Sequence, residues 1–226
     1  MSVDLQAEAT PEPLLQREVD LEDSKQLDDG SELGGDSEEE DSERVDLFEA
    51  IDKNDLQMLQ DGLDNGEDPE ETSIKGHAMG MTAVLYAVSL GESRRDIVAA
   101  LLQANADPTV TARNGDTALH IAAYKGLYSI AEMLADVANL EAVGELGNRP
   151  LHLAAASGHA DIVGLLLAKG AATNYHNTYG NTPLQVAKGE RTKAWIRRVE
   201  EGGAAARVHL AEQLAEARAA EAAARE

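Results

Sequence analysis

The sequence predicts an all-α fold, a solenoid of stacked helix–turn–helix units joined by β-hairpin-like loops. Three observations indicate this fold. A six-residue motif occurs four times at nearly constant spacing, and a second apolar stretch follows each of the first three copies. The apolar residues are chiefly Ala and Leu, and aromatic residues make up only 3% of the chain. Small side chains with few rings suit close helix–helix packing better than a β-sandwich.

The recurring motif sets the period of the chain. Its copies read TAVLYA (82–87), TALHIA (117–122), RPLHLA (149–154) and TPLQVA (182–187), with starts 35, 32 and 33 residues apart. The apolar stretches that follow lie at 96–108, 129–141 and 161–173, and residues 46–69 match the same two-helix plan in degenerate form. Because one two-helix unit cannot bury its apolar face alone, the units must stack.

Each unit carries helix start and stop signals. A hydroxyl suits the N-cap position, proline suits the first helical position, and glycine suits the left-handed position past a helix end. The residues concerned are Thr82, Thr117 and Thr182 for the N-caps, Pro150 and Pro183 for the first position, and Gly66 and Gly170 for the helix ends.

The period and the motif together resemble the ankyrin repeat, whose signature is Thr-Pro-Leu-His-x-Ala. The resemblance covers residues 45 to about 202 and implies five repeats, at about 45–80, 81–115, 116–147, 148–180 and 181–202. The chain departs from the family pattern at five positions, where we expect locally weaker caps and turns. These are Leu85, Asn105, Ala138, Arg149 and Gln185.

Two segments flank the repeats. Residues 1–44 hold 16 acidic residues against 3 basic ones, and we expect a disordered acidic tail. Ser37 precedes three glutamates, a pattern that acidophilic kinases favour, but an unmodified serine fits the segment equally well. A separate hypothesis is that the residues around Leu14 and Leu15 form a short helical docking motif. Residues 203–226 predict an Ala-rich helix that is mostly exposed and packs by its first turns against the last repeat, or that binds a partner.

Composition excludes several classes of function. The formal charge of −23 argues against nucleic-acid binding, which needs clustered Lys and Arg, and favours a basic protein partner or simple solubility. There is no cysteine and no apolar run long enough to span a membrane. We therefore expect no membrane association and a location in the cytoplasm, with the nucleus left open.

The histidines are the residues that most resemble a chemical site. His120 and His152 occupy equivalent positions of adjacent repeats, yet zinc needs three or four ligands and no third ligand recurs in register. The resemblance implies that both rings hydrogen-bond backbone, and His159 matches a structural position in a turn. His77 and His176 lie in inter-repeat loops and are better candidates for partner contact. We expect no catalytic residue, cofactor or metal, and hence no enzyme.

The resemblance also implies where a protein partner binds: on the tips of the inter-repeat loops and on the exposed face of each first helix. Tyr124 is the favoured hot spot, because aromatic residues dominate such interfaces, and Tyr175 and Tyr179 flank the last loop. Carried over position by position, the predicted contact residues are Thr111, Arg113, Asp116, Tyr124, Lys125, Val143, Glu145, Asn148, Ala156, Ser157, His176, Thr178 and Asn181.

These features predict a non-enzymatic protein-interaction module. One version is a chaperone or adaptor for a basic client, because an acidic tail beside a few repeats is similar to ankyrin chaperones of ribosomal proteins. The last repeat is also similar to that of gankyrin-type proteasome-assembly chaperones. The alternative is a structural subunit of a larger assembly, docked by the repeats and the C-terminal helix. In either case we expect a monomer or one subunit of a hetero-complex.

Overall fold

The computed structural model describes residues 46–73 and 78–224, the side chains of residues 221 and 222 excepted. The predicted acidic tail, Ser37, the motif around Leu14 and His77 lie outside the described residues. Within them the chain forms ten α-helices and no extended strand. They are α1 (Leu47–Lys53), α2 (Leu56–Asp64), α3 (Ala83–Leu90), α4 (Arg95–Gln103), α5 (Ala118–Lys125), α6 (Tyr128–Val137), α7 (Pro150–Ser157), α8 (Ala160–Ala168), α9 (Pro183–Val186) and α10 (Glu190–Ala223).

The helices pack in two rows, as expected for stacked two-helix units. The odd-numbered helices form the first row and the even-numbered helices form the second, each helix contacting the next one in its row. Within a unit the first helix also packs on the second, as α3 does on α4 and α5 on α6. The all-α solenoid predicted from the period is therefore confirmed.

The core lies between the two rows. Large apolar side chains from the second helices, among them Leu101, Leu134 and Leu166, are fully buried there. Alanines of the first row, such as Ala122 and Ala154, are also fully buried, so their small side chains allow neighbouring helices to approach closely. This packing explains why a chain with few aromatic rings still forms a continuous core.

The β-hairpin-like character of the loops is present as turns rather than as strands. One isolated antiparallel bridge joins Thr111 to Thr117 in the described part of the chain. Three successive loops close with the same backbone hydrogen bond, four residues apart. The pairs are Ala112 N to Asp116 O at 2.8 Å, Gly144 N to Asn148 O at 2.8 Å and Asn177 N to Asn181 O at 3.0 Å.

The predicted helix caps hold in part. Thr182 accepts a hydrogen bond from the backbone N–H of Gln185 at 3.4 Å, and the Thr117 hydroxyl lies 2.9 Å from Nδ1 of His120. Thr82 was expected to cap α3 through its hydroxyl, and this is wrong. It makes no side-chain cap bond, and its buried Oγ1 has no partner among the described residues. Position N3 carries Leu85, whose side chain cannot accept the Thr82 N–H as His120 accepts that of Thr117.

Three of the departures from the family pattern are accommodated by the local geometry. Gln185 replaces the histidine of the motif, yet its Oε1 accepts the backbone N–H of Thr182 at 2.7 Å and so caps α9 as a ring nitrogen would. Asn105 adopts the left-handed conformation with φ +63°, which asparagine tolerates. Ala138 instead ends α6 with extended backbone and needs no glycine.

The C-terminal segment differs most from expectation. The helix α10 continues through residue 223, but its backbone breaks at Gly203, where φ is +54° and ψ is −133°. Beyond this break the helix turns back, since Nη1 of Arg198 lies 3.5 Å from Oε1 of Gln213. Residues 204–223, named here the strap, pack on α8 rather than on the last repeat alone. Most strap side chains are exposed, as expected, but the expected packing partner is wrong in part, because Leu210 and Leu214 lie against Gly164 of α8, in the preceding unit.

Candidate protein-binding surface

The residues predicted to contact a partner lie on three loop tips and on the ends of α5 and α7. Their role in partner contact is a prediction, and their side chains differ in exposure. The exposed ones are Thr111, Arg113, Tyr124, Lys125, Val143, Glu145, His176 and Thr178. The half-buried ones are Asp116, Asn148, Ala156, Ser157 and Asn181.

His120 and His152 hold this surface from below. Nδ1 of each ring accepts a backbone N–H from its own helix start, that of Thr117 or of Arg149, both at 3.2 Å. The acceptor role of Nδ1 places the ring proton on Nε2, which donates to the carbonyl of Asn148 or of Asn181 in the next loop, at 3.2 and 3.1 Å. The predicted structural role of both rings is confirmed.

Burial governs the protonation of these rings. His120 is fully buried and His152 nearly so. Burial lowers the pKa of both below the ordinary value, against the opposing effects of Asp116 on His120 and of the Asn181 carbonyl on His152. Both rings are therefore neutral at pH 7. A neutral ring can donate from one nitrogen and accept at the other, as the geometry requires.

The loop tips are also bonded to one another. The Asp116 carboxylate accepts the backbone N–H of Glu145 at 2.9 Å, and the carbonyl of Leu146 accepts both the N–H and the hydroxyl of Thr178, at 2.9 and 2.8 Å. Asn148 Oδ1 accepts the side-chain amide of Asn177 at 3.0 Å. Asp116 and Asn148 are thus engaged in fixing the surface, which leaves Arg113, Val143 and the neighbouring exposed side chains to face a partner.

The C-terminal ends of two first helices accept hydrogen bonds that the sequence did not predict. In each case a group of the following unit donates to a carbonyl at the end of the preceding first helix. Lys125 Nζ donates to Ser89 O at 2.7 Å, and His159 Nε2 lies 3.0 Å from Tyr124 O. The ammonium of Lys125, a predicted contact residue, is therefore already engaged within the domain. Tyr124 is held by its backbone, which leaves its ring free to face outward.

Arg149 supplies a further link between loops. Its guanidinium lies over the ring of Tyr175 at 3.4 Å, and its Nη1 donates to the Glu141 carbonyl at 2.5 Å and to the Glu141 carboxylate at 3.2 Å. Oε1 of Glu141 in turn accepts the backbone N–H of Ala172 at 2.7 Å. The arginine that stands in place of a capping threonine thus joins two successive loops.

Exposed apolar side chains gather on this side of the solenoid. In the described ranges, nine large apolar side chains are exposed, and six of them lie on the loops or on first helices: Met79, Leu90, Tyr124, Val143, Tyr175 and Tyr179. Met79 and Leu90 were not predicted, because nothing in the motif distinguishes them. The three others, Leu56, Val137 and Val208, are dispersed over the second helices. The uneven distribution indicates that the loop and first-helix side is the one suited to contact another protein.

Residues 46–73 and 78–224 contain no group of three His, Asp or Glu side chains placed to hold a metal ion. In the same part of the chain, no helix combines the length and the apolar character needed to cross a membrane.

Comparison with known families places this architecture. A family model described as ankyrin repeats in three copies matches residues 47–143, and a second, described as ankyrin repeats in many copies, matches residues 135–187. Together the two matches run from 47 to 187, through the first helix of the last unit. They cover α1 to α9 and the loops that carry the candidate surface, while α10 lies outside the matched residues.

Individual proteins contain segments similar to part of this chain. The chain is 45% identical over 74 residues to a transient receptor potential cation channel subfamily A member 1 homolog of Caenorhabditis elegans, covering 32% of this chain and 6% of that protein. It is 33% identical over 112 residues to the E3 ubiquitin-protein ligase KEG of Arabidopsis thaliana, covering 47% and 7%. It is 47% identical over 70 residues to the E3 ubiquitin-protein ligase XBAT33 of Arabidopsis thaliana, and this match covers 29% of this chain and 14% of that protein. The chain thus spans a small part of each relative.

Proposed function

The chain belongs to the ankyrin-repeat family, and we propose that its loop tips and first helices bind a basic protein as a chaperone or adaptor. Ankyrin repeats generally form protein–protein interaction modules, whose stacked units present one extended surface. The observation that carries the choice of surface is the gathering of six of the nine exposed apolar side chains on the loop and first-helix side of the described residues.

The charge of the chain supports a basic client. The formal charge is −23, and the first 44 residues contain 16 acidic against 3 basic residues. Such a field attracts a cationic protein and speeds its encounter, while the apolar and aromatic side chains of the loops supply the contact itself. We therefore propose that residues 1–44 attract the client electrostatically and that the loop tips and first helices bind it.

Two valines of equal exposure provide a matched test of the surface. Val143, on a loop tip, and Val208, on the strap, are both 60% exposed. The protein captured by the full-length chain from a cell extract is identified by mass spectrometry, and its affinity is then measured for Val143→Lys and Val208→Lys. We expect at least tenfold weaker binding for Val143→Lys, because a buried apolar contact is replaced by a repelling charge, and a change under twofold for Val208→Lys. Equal loss in both variants, or none in Val143→Lys, would contradict the surface.

The proposed electrostatic attraction of the client by residues 1–44 can be tested separately. Affinity for the captured client should fall steeply as salt is raised from 50 to 500 mM, because screening weakens attraction between separated charges. Deleting residues 1–44 should remove most of that salt dependence while retaining the loss caused by Val143→Lys. An affinity that does not change with salt or with the deletion would exclude a client chosen by its charge.

The alternative, a structural subunit docked partly by the C-terminal helix, has less support. The strap's Ala206 and Leu210 are buried against the rest of the chain, and Leu214 packs there too. Among its large apolar residues only Val208 remains exposed. Recovery of the full-length chain with many subunits of one complex, abolished by Val208→Lys and not by Val143→Lys, would favour this alternative over the chaperone or adaptor.

A further inference from the structure

The strap makes a set of specific contacts with α8. Leu210 and Leu214 pack on Gly164, where a Cβ would lie 3.3 Å from Leu214 Cδ1. Nη1 of Arg207 donates to the carbonyl of Leu167, in the last turn of α8, at 2.6 Å and to that of Ala171, just beyond the helix, at 2.9 Å. These two bonds fix the strap at the C-terminal end of α8. The groove on α8 is therefore shaped for this helix.

The far end of the strap reaches the preceding unit. Arg218 forms an ion pair with Glu132 of α6 and lies over the ring of Tyr128, 5.1 Å from its centroid. The strap thus spans two units of the second row. These contacts lie on the second row, away from the loop tips that carry the predicted partner contacts.

The connection between the strap and the rest of α10 is short and depends on two glycines. Gly203 has φ +54° and ψ −133°, a conformation that L-residues rarely adopt, and a Cβ on Gly202 would meet Cβ of Ala206 at 2.8 Å. On both sides of this pair the sequence is rich in strong helix formers. Within α10 itself the break is confined to these two residues, and a short hinge that could also become helical favours domain swapping.

We propose that the strap exchanges between two copies of the chain. When Gly203 becomes helical, α10 is one rod of about 50 Å, and its strap lies on α8 of a second copy. Every strap contact then forms again between copies, including the one between Arg198 and Gln213. Arg198 of each copy then contacts Gln213 of the other, so the dimer is two-fold symmetric. The two α10 helices cross at residues 202–206, whose Gly and Ala side chains are small enough to let the helices approach closely.

The exchange alters what the protein can do without altering its binding surface. In the swapped dimer the loop tips and first helices of both copies stay exposed, since the strap occupies only the second row. The swapped dimer therefore carries two binding surfaces. A client with two binding sites, or two clients linked to each other, would bind the dimer more tightly than a single copy through avidity. The exchange goes beyond the proposed function and does not depend on it. The charge of −23 on each copy opposes association, so salt should favour the dimer.

Substitution of the hinge tests the exchange. Full-length protein and its Gly203→Ala variant are compared by size-exclusion chromatography with light scattering from 1 to 200 µM. Alanine is strained at φ +54° and favoured in a straight helix, so we expect a dimer association constant raised about 100-fold over the natural chain. Gly189→Ala is the matched control, since Gly189 also has positive φ and open space around it but lies outside the hinge. Its dimer association constant should match that of the natural chain. A monomeric, folded Gly203→Ala protein would overturn the proposal.

Cross-linking identifies the dimer and does not need the hinge variant to fold. The natural chain has no cysteine. The variants Arg198→Cys and Gln213→Cys are mixed at 200 µM and treated with a short bismaleimide. The swapped dimer brings 198 of one copy beside 213 of the other, so a mixed cross-link should form and should increase with salt. Val137→Cys, exposed on α6, replaces Gln213→Cys in the control mixture and should give at least tenfold less product. Equal yields in the two mixtures would contradict strap exchange, whatever the client-binding results.

Discussion

Nε2 of His120 donates to the backbone carbonyl of Asn148, 3.2 Å away and 28 residues further along the chain. The other nitrogen of the same ring accepts the N–H of Thr117, so one side chain closes its own helix start and fixes the next loop. His152 repeats the arrangement with Asn181. The two histidines that most resemble a reactive pair are therefore linkers between units, and the surface above them depends on their neutral form.

Replacing His120 should destabilise the domain. His120→Ala leaves the Thr117 N–H and the Asn148 carbonyl without their partner in a buried position, and we expect a loss of about 1–3 kcal/mol in the free energy of unfolding. His120→Gln should lose less, because Gln185 already supplies the N-cap acceptor in the last unit. Urea denaturation followed by circular dichroism measures both. Equal stability of the alanine variant and the natural chain would refute the linking role.

The same rings make stability depend on pH. Burial lowers the pKa of His120 and His152 in the folded state below 6.5. Below pH 6.5 the unfolded chain therefore binds protons that the folded chain does not. Stability should be full above pH 6.5 and fall as the pH drops toward the lowered folded-state pKa, by at most about 1.4 kcal/mol per pH unit for each ring. Melting temperatures from pH 7.5 to 5 are compared with those of the His120→Gln/His152→Gln double variant. That variant should show a shallower decline, and parallel curves would contradict the assignment.

The fold followed from the sequence because a period is a global signal. Four copies of one motif specify stacking and both rows of helices, whatever the deviations of single residues. The strap could not be predicted in the same way. Its direction depends on one backbone conformation at Gly203, and a glycine followed by alanines equally permits a straight helix. The inter-unit ties of Lys125 and Arg149 escaped prediction as well, since long side chains reach partners more than one turn away.

Tyr86 and Asp52 link the first two units, and their contact has a spectroscopic signature. The Tyr86 hydroxyl donates to the Asp52 carboxylate at 2.5 Å, and this bond, together with burial, raises the pKa of Tyr86 to about 12. Because the folded-state pKa lies above the unfolded value of 10.0, the stabilisation is present at neutral pH and is lost as the pH rises from 10 to 12. The difference in absorbance at 295 nm between the natural chain and Tyr86→Phe should have its midpoint near pH 12. Asp52→Asn should move it toward 10, and a midpoint near 10 in the natural chain would exclude the bond.

Arg149 offers a test in which structure and family pattern predict opposite results. The pattern favours threonine at this N-cap, so Arg149→Thr should stabilise the chain if capping decides. In the structure, however, Arg149 stacks on Tyr175 and bonds Glu141, with only 16% of its side chain exposed. We expect Arg149→Thr to lower the free energy of unfolding by about 1 kcal/mol, because the stacking and the charged hydrogen bonds outweigh one cap. Tyr175→Phe keeps the ring and should be nearly neutral, whereas Tyr175→Leu should lose the stacking share. A double-mutant cycle between Arg149→Thr and Tyr175→Leu measures the coupling. If the two substitutions showed no coupling, or if Arg149→Thr were more stable than the natural chain, N-capping would outweigh the contacts of Arg149 in the free energy of unfolding.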